Sequence, residues 1–380
     1  MVGQSGGQRL SGARVSILAA IVALALGASL AMSTSAHAAT NPRVSGRVSS
    51  PTPPIAVAVD SKTDAAFVIA GNALLSAIDE RDHSVTASRP LGFSGAHIAV
   101  DPKRGLIFVE GFYAPTPGQC PYNAPPQCFQ PAAQMRVYSE VSLSQVNNLD
   151  LACTQPGPQA PGGWNIAEDP HTGTVYLPCV GGLEEVNEAG MKNVVMNVPG
   201  TVQSVSVDQD TGTLYATVNA PGSTNSSVTV IDERTGMLTA TIPIGKRADG
   251  IAVAPKRAKV YVAHDGNAVS VIDERSNKVT KTVAGLSGAV GVATDPNSKS
   301  VFVTDGLHTV SVIDGYNDHL TKTLGTGMPL PSNYEEPSPS ASADLVAVDN
   351  ATGAAFVVDG DVPWTGPSHL NQFVSVIKSR

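Results

Sequence analysis

Charged residues make up only 15% of this 380-residue sequence, and acidic residues outnumber basic ones. The chain has 24 Lys and Arg against 32 Asp and Glu, which gives a formal net charge of −8. No basic stripe runs along it, and a negatively charged protein is repelled by polyphosphate and by anionic lipid surfaces. These absences argue against nucleic-acid binding and against attachment to a membrane surface.

Motifs that carry catalysis or cofactor binding are also missing. Beyond residue 38, the sequence contains no Gly-x-Ser-x-Gly nucleophile motif, and nowhere does it contain a phosphate-binding loop or a zincin helix motif. It has four cysteines but no Cys-x-x-Cys pair, which argues against a cysteine-based metal site and excludes covalent c-type haem. What remains is a chain with 36 Gly and 28 Pro, a composition that fits an all-β protein rich in turns.

The first 38 residues are expected to form a secretory signal peptide. Arg9 and Arg14 supply the basic region, residues 15–32 are apolar or small, and Ala36-His37-Ala38 fits the cleavage pattern. An uncleaved anchor is the alternative, because 18 apolar residues just span a bilayer. Cleavage after Ala38 would remove two Arg and no acidic residue, so the mature charge becomes −8 − 2 = −10. We therefore expect a bacterial protein that is secreted or periplasmic.

Export also bears on the cysteines. An even number of cysteines in an oxidising compartment indicates disulfides. From the predicted loops we expect Cys120 to pair with Cys128 and Cys153 with Cys179, one of three possible connectivities.

One short pattern recurs along the rest of the chain. Residues 250–282 read as four short strands: Ile251–Val253, Lys259–Val262, Ala268–Ile272 and Val279–Thr282, separated by turn residues. An aromatic residue occurs 11 positions after the start of each first strand, in seven copies: Phe67, Phe108, Tyr176, Tyr215, Tyr261, Phe302 and Phe356. The shortest spacings between these aromatics are near 40 residues. Four strands in a period of about 40 to 45 residues are typical of a β-propeller blade.

Two of these copies carry a family resemblance. Tyr261-Val262-Ala263-His264 and Phe302-Val303-Thr304-Asp305 are each followed by Val-Ile-Asp, and they resemble the YVTN-type propeller repeat of bacterial secreted and surface proteins. The resemblance covers nearly all of the mature chain and implies a single seven-bladed, all-β propeller over residues 39–380. It implies little about function, since members of that family serve unrelated roles. DNA binding, suggested for some of them, is disfavoured by the −10 charge.

The last repeat lacks a fourth strand after Phe373-Val374-Ser375-Val376-Ile377. The segment Arg43-Val44-Ser45-Gly46-Arg47-Val48 precedes the first repeat without a partner, so we predict that it supplies the missing outer strand and closes the ring. The alternative is a disordered linker, because Pro51, Pro53 and Pro54 follow directly.

The predicted insertions all fall at one end of the strands: residues 110–134, 219–227, 325–343 and 359–371. Insertions grouped on one face are how repeat folds build a binding surface. The candidate ligand-face residues at the mouth of the channel are His97, Trp164, Gln203, Asp249, His264, Asp305, Asp344 and Trp364, with Asn165, Ser204, Asp265 and Asp359 alongside them.

These features favour a binding or scaffold module, expected to be a monomer, that presents the loop-rich face to a protein or glycan. Its aromatic anchors would be Tyr113, Tyr122, Phe129, Trp164 and Trp364. The alternative is a metal-dependent hydrolase or lyase of the propeller lactonase kind, with Asp249 and Asp344 as weak ligands of a divalent cation and a nearby His as base. The sequence leaves enzymatic activity undecided and predicts no other cofactor.

Two further groups of polar residues are interpreted as structural. In the repeated Asp-Glu-Arg turns, which contain Glu233 and Glu274, the Asp is expected to cap the turn and the Glu and Arg to be solvated. The remaining histidines, His83, His171, His308 and His319, are expected to lie on the surface.

Overall fold

Short runs of β-branched and apolar residues, punctuated by turns, fold into antiparallel sheets. The computed structural model describes residues 41–378 except positions 51, 72, 114–131, 152–164, 188–193, 221–222, 246, 265–266, 287, 296–298, 306–308, 327–345 and 361–371. Across that part of the chain, the regular elements are 26 strands and one short 3-10 turn, Pro255–Arg257. Residues Asn41–Arg380 make up one unit. None of the described residues forms a helix with the length and apolar character needed to cross a membrane.

The strands follow the seven repeats of the sequence. In every repeat except the fourth, the first strand lies at a sheet edge and pairs only with the second strand. The N-terminal strand and repeat 1 comprise β1 (Arg43–Ser49), β2 (Pro54–Asp60), β3 (Ala65–Ala70), β4 (Leu74–Asp79) and β5 (Ser84–Pro90). Repeat 2 comprises β6 (Ser94–Asp101), β7 (Leu106–Tyr113), β8 (Ala132–Ser139) and β9 (Gln145–Asp150). Repeats 3 and 4 share β10 (Ala167–Asp169), β11 (Thr174–Asn187), β12 (Val194–Asp208), β13 (Thr213–Asn219), β14 (Ser226–Asp232) and β15 (Met237–Pro243).

The remaining strands complete the order. Repeat 5 comprises β16 (Ala248–Ala254), β17 (Lys259–His264), β18 (Ala268–Asp273) and β19 (Lys278–Ala284). Repeat 6 comprises β20 (Gly291–Thr294), β21 (Ser300–Thr304), β22 (Thr309–Asp314) and β23 (His319–Gly325). Repeat 7 comprises β24 (Val346–Val348), β25 (Ala354–Gly360) and β26 (Gln372–Lys378). The four strands predicted in residues 250–282 are therefore confirmed, each extended by a few residues.

Repeats 3 and 4 form one six-stranded sheet because β11 and β12 are long strands, each of which pairs with a different neighbour in its first part than in its last part. The start of β11 pairs with β10, whereas Val180–Glu185 pairs with β12. Strand β12 pairs with β11 up to Thr201 and with β13 from Thr201 onward. The register between β11 and β12 shifts between Val180 and Gly182. Gly181, within this shift, and Gly200, next to Thr201, have φ angles of 84° and 122°, which favour glycine.

The aromatic residue of each repeat occupies one fixed register position. Every one of the seven lies opposite a small residue on the neighbouring first strand: Ala58, Ala99, Ala167, Ser206, Ala252, Ala293 and Ala347. All seven aromatics are buried, with at most 3% exposure. The small partner leaves room for the ring, so the repeated spacing in the sequence reflects a repeated packing unit.

Buried apolar side chains of the described residues form seven clusters, and each cluster draws on two successive repeats. Ile69 of repeat 1 packs with Ile98 and Ile107 of repeat 2, for example. The remaining neighbours share clusters in the same way. One cluster joins the two ends of the chain, with Val48 and Val68 on one side and Phe356 and Val374 on the other. The hydrophobic core is therefore distributed between the sheets.

Strand β1 adds to the last sheet as the sequence predicts. It runs antiparallel to β26, with Arg47 opposite Ser375 and Val48 opposite Val374, and the sheet order is β1-β26-β25-β24. Arg47 also donates to the Thr326 carbonyl at 2.9 Å and lies over the Phe373 ring. Lys322 donates to the Pro42 carbonyl at 3.0 Å. Side chains of repeats 6 and 7 thus hold the N-terminal segment in place.

The strand bounds give the sheets two different ends. At one, here named the tight-turn end, first strands connect to second strands and third strands to fourth strands, and the described connections are short, such as 102–105 and 233–236. The opposite end, named the loop end, carries the long connections, residues 114–131, 151–166, 326–345 and 361–371. The predicted extension at residues 219–227 is shorter than expected, because β13 runs to Asn219 and β14 begins at Ser226.

Candidate functional site

His97 and Glu110 form a buried polar pair near the loop end. The two residues lie opposite each other on β6 and β7, just beyond a register shift between Gly95 and His97. Nε2 of His97 is 3.9 Å from Oε2 of Glu110, and the residues are 8% and 2% exposed. Register shifts of this kind are a common way to aim a side chain at a functional site. An imidazole beside a buried carboxylate can accept and donate a proton.

A second polar group lies at the start of repeat 5. Asp249 is 7% exposed, and its Oδ1 is 3.7 Å from Nε of Arg247. The Asp249 carbonyl accepts a hydrogen bond from Thr217 of the previous repeat at 2.9 Å. On the adjacent strand, His264 is 5% exposed and its Nε2 lies 3.2 Å from Oγ of Ser270. The ladder between β16 and β17 shifts between Ala248 and Ile251, so Asp249 lies on an irregular stretch of strand.

Two candidates, Asn165 of repeat 3 and Ser204 of repeat 4, are hydrogen-bonded to each other. Asn165 accepts from Ser204 Oγ at 2.6 Å and from the Val205 N–H at 2.8 Å, which ties two repeats together. Gln203 is 4% exposed, and its buried Oε1 has no hydrogen-bond donor among the described residues. An amide oxygen left in this state costs free energy unless a water or ligand pairs with it.

Other predicted residues are engaged elsewhere or lie outside the description. Asp305 accepts from the N–H and the Oγ1 of Thr309, at 3.0 and 2.7 Å, and so closes the turn between β21 and β22. Trp164, Asp265, Asp344 and Trp364, with Tyr122 and Phe129, lie outside the described residues. Within the described part of the chain, no three His, Cys, Asp or Glu side chains come together as a metal site.

Of the four cysteines, Cys179 alone lies among the described residues. It is buried, its Sγ lies 3.6 Å from the Leu177 carbonyl, and it is not a free thiol. Cys120, Cys128 and Cys153 lie outside the described residues, so both pairings remain predictions.

The interpretation of the Asp-Glu-Arg turns is half right. Asp232 does cap its turn, accepting from the N–H and Oγ1 of Thr235 at 2.8 and 2.6 Å. Glu233 and Glu274 are only partly exposed, however. Glu233 accepts at 2.7 Å from the hydroxyl of Tyr176, a residue of the previous repeat, and Glu274 Oε1 is buried without a donor. The sequence shows where a turn is but not which neighbouring repeat covers it.

One histidine prediction is also wrong. His83 is only partly exposed, its Nε2 is buried, and burial is the main cause that lowers its pKa. It packs against Gly46 of β1, where a Cβ would lie 2.2 Å from its ring. His171 and His319 are exposed as predicted, and His308 lies outside the described residues.

Comparison with solved structures agrees with the sheets. The chain is similar to hydrazine synthase of Kuenenia stuttgartiensis, a protein that contains a β-propeller. The two share 17% sequence identity over 82% of this chain and 94% of that chain, with a TM-score of 0.62. Identity this low concerns the fold alone, and 1639 matching chains show how widespread that fold is. The antiparallel sheets and this likeness define a β-propeller-like fold.

Sequence comparisons add no narrower class. No protein-family model and no curated protein matches the chain. The resemblance to the YVTN-type repeat therefore remains a prediction from the two segments that carry it.

Proposed function

We propose that the chain is an exported, seven-bladed β-propeller whose loop end binds a protein or glycan partner. Each repeat would form one blade, with β1 completing the seventh. The seven shared core clusters support this arrangement, as does the cluster that joins β1 and repeat 1 to repeat 7. The proposal of export is supported by the signal-like sequence of residues 1–38. We expect the exported protein to be a monomer with the disulfides Cys120–Cys128 and Cys153–Cys179.

The observation that carries the binding role is the contrast between the two ends of the sheets. All four long connections lie at the loop end, whereas the described connections at the tight-turn end are short. A rigid scaffold that carries its insertions on one face is the usual architecture of a binding surface. Buried polar groups near that end, His97, Glu110, Gln203 and Asp249, supply donors and acceptors that suit hydroxyl-rich or peptide ligands.

The ligand class follows from charge as well as shape. A net charge of −8 disfavours polyphosphate and nucleic acid, and the sequence has no basic stripe. Neutral glycans and proteins with a neutral or basic surface fit better. The lactonase-like alternative needs a convergent set of ligands, and we derive no metal chemistry from the described residues.

A loop replacement tests the proposal. Ligands would first be identified on a glycan array or a panel of envelope proteins. Two variants are then compared with the wild type: one with residues 114–131 replaced by a short Gly-Ser turn, and the double variant His97→Ala, Gln203→Ala. We expect each to lose at least about tenfold in affinity for these ligands, because a central contact is worth about 1 to 3 kcal/mol. The control is Arg81→Ser, an exposed change at the tight-turn end. A ligand whose affinity falls with Arg81→Ser and not with the loop-end variants would overturn the proposal.

A further inference from the structure

A set of carboxyl pairs lies at the tight-turn end, between successive repeats. In most repeats the first strand ends in a buried Asp that caps the following turn, and in most repeats the turn after the third strand carries a Glu. The capping Asp residues are Asp60, Asp101, Asp169, Asp208, Asp295 and Asp349, all at most 2% exposed. The described turn Glu residues are Glu80, Glu140, Glu233 and Glu274. Each of these Glu side chains faces the Asp of the previous repeat.

Glu80 with Asp349 is the most buried pair, and it joins repeat 1 to repeat 7. Glu80 is 6% exposed, and no described N–H or O–H donor reaches either of its carboxyl oxygens. The charged groups that face it are Asp349, Asp64 and Asp60, and Asp349 lies within hydrogen-bonding distance. Two ionised carboxylates in that position would repel each other without any donor between them.

Asp349 is the member of the pair that stays ionised. Its carboxylate accepts from the N–H groups of Ala351 and Thr352, at 2.8 and 2.9 Å, and from the Thr352 hydroxyl. These donors stabilise the charged form and, together with Ser61, hold the pKa of Asp349 below its usual value against the opposing effect of burial. The proton therefore belongs to Glu80, which can donate it to Asp349 in a charge-assisted hydrogen bond.

The same arrangement recurs at other junctions. Glu140 of repeat 2 lies within hydrogen-bonding distance of Asp60 of repeat 1, with Asp101, Lys62 and Glu168 also facing it. Glu274 of repeat 5 faces Asp208 of repeat 4, with Asp210, Asp273 and Arg275 nearby. Between repeats 3 and 4, Glu233 meets Asp169 but also accepts from Tyr176 and Thr172. This last pair is thus better supplied with donors than the others.

At the junction between repeats 5 and 6, neither member of the pair is present. At the end of its first strand, repeat 5 has Ala254 where other repeats have Asp. In repeat 6, Gly315 stands where several repeats have Glu, and a Cβ there would lie 2.9 Å from Nη1 of Arg257. Lys259 and Tyr261 of repeat 5 instead bind Asp318 of repeat 6, at 2.7 and 2.8 Å. An ion pair and a Tyr hydroxyl therefore hold this junction in place of two carboxyl groups.

We propose that the pairs Glu80–Asp349 and Glu140–Asp60 each share one proton and serve as proton-dependent contacts between neighbouring repeats, which weaken when alkaline conditions remove the proton. The Glu O–H donates to the Asp carboxylate while the proton is present. Deprotonation leaves two negative charges facing each other at the junction. The contacts of repeat 1 with repeats 7 and 2 should then weaken together.

The pKa shifts agree with this geometry. Burial, reinforced by Asp349, raises the pKa of Glu80 to about 8, and burial likewise raises the pKa of Glu140 and of Glu274 to about 8. A glutamate in the unfolded chain titrates near about 4.3. Between these pH values the folded protein binds more protons than the unfolded chain, so stability falls as pH rises. The contribution is complete below about pH 4.3 and is lost once pH passes about 8.

The substitution Glu80→Gln tests the proposal, because Gln has the shape of the protonated acid and donates an N–H at every pH. We expect the wild-type melting temperature to fall between pH 6 and pH 9.5, and the fall to be smaller by about 3 °C or more in Glu80→Gln. Infrared spectroscopy should also show the carbonyl band of a protonated carboxyl group at neutral pH, reduced in the variant. Glu140→Gln provides a second test at another junction and keeps the proposal falsifiable should Glu80→Gln fail to fold.

Asp82→Asn is the matched control, since it removes an exposed carboxylate from the same end of the molecule. Its melting temperature should fall with pH as much as that of the wild type. Equal falls in Glu80→Gln, Glu140→Gln and wild type would overturn the proposal. The proposal would also be overturned if added calcium raised the melting temperature of the wild type but not that of either Gln variant. A cation rather than a proton would then hold the two carboxyl groups together.

Discussion

Deletion of residues 41–49 is expected to cost a large part of the stability of the folded protein. The deletion removes β1, so β26 loses one of its two partner strands and the cluster that contains Val48 is opened. Burial of Val48 is worth about 1.5 to 3 kcal/mol, and the partly buried Val44 and the backbone ladder to β26 add to that contribution. The usual total stability is about 5 to 15 kcal/mol. The exposed edge of β26 should also cause self-association. Chemical denaturation and size-exclusion chromatography measure both effects.

A peptide of residues 41–50, added in trans, is the control for this deletion. It should bind the open edge of β26 and restore much of the lost stability, whereas a scrambled peptide should not. If the deletion protein unfolds at the same denaturant concentration as the intact protein, β1 is a dispensable tail and the role assigned to it is wrong.

The second large effect is expected at Gly250. Its N–H donates to the Val290 carbonyl at 2.9 Å, so the chains of repeats 5 and 6 touch there. A Cβ at this position would lie 2.4 Å from that carbonyl oxygen and 3.2 Å from Cα of Gly291. Both are backbone atoms that cannot rotate away, and Gly250→Ala should therefore destabilise the protein by about 2 to 4 kcal/mol.

Gly325→Ala is the matched control for that substitution. Gly325 also lies in a strand, and an added Cβ there would meet no atom within 4 Å. Its free energy of unfolding should stay within about 0.5 kcal/mol of wild type. Equal unfolding midpoints for the two variants would show that the close approach between repeats 5 and 6 is absent in solution.

The features that depend on repetition were predictable from the sequence. Seven aromatics at one spacing indicated seven equivalent strand pairs, and each aromatic does lie opposite an Ala or Ser. The leftover segment at Arg43 and the missing last strand implied each other, since an open array would leave an exposed edge. Local turn chemistry was equally readable, as at Asp208, which accepts from the Asp210 N–H at 3.0 Å.

The features that depend on contacts between repeats were not predictable. Glu274 follows a turn in repeat 5 but faces Asp208 of repeat 4, and nothing in a local pattern records that neighbour. Polar residues expected on an open rim, such as Ser204 and Gln203, proved to be buried because adjacent repeats cover them.

Hydrogen exchange of the purified chain, starting at residue 39, tests the central claim most directly. That claim is a ring of seven blades closed by β1 on β26. Mass spectrometry of peptides that cover residues 41–50 and 372–378 should show slow exchange in both, on the timescale of the core strand β17, because their amides share one ladder. Complete exchange of residues 41–50 within seconds, with β17 still protected, would contradict the closed ring.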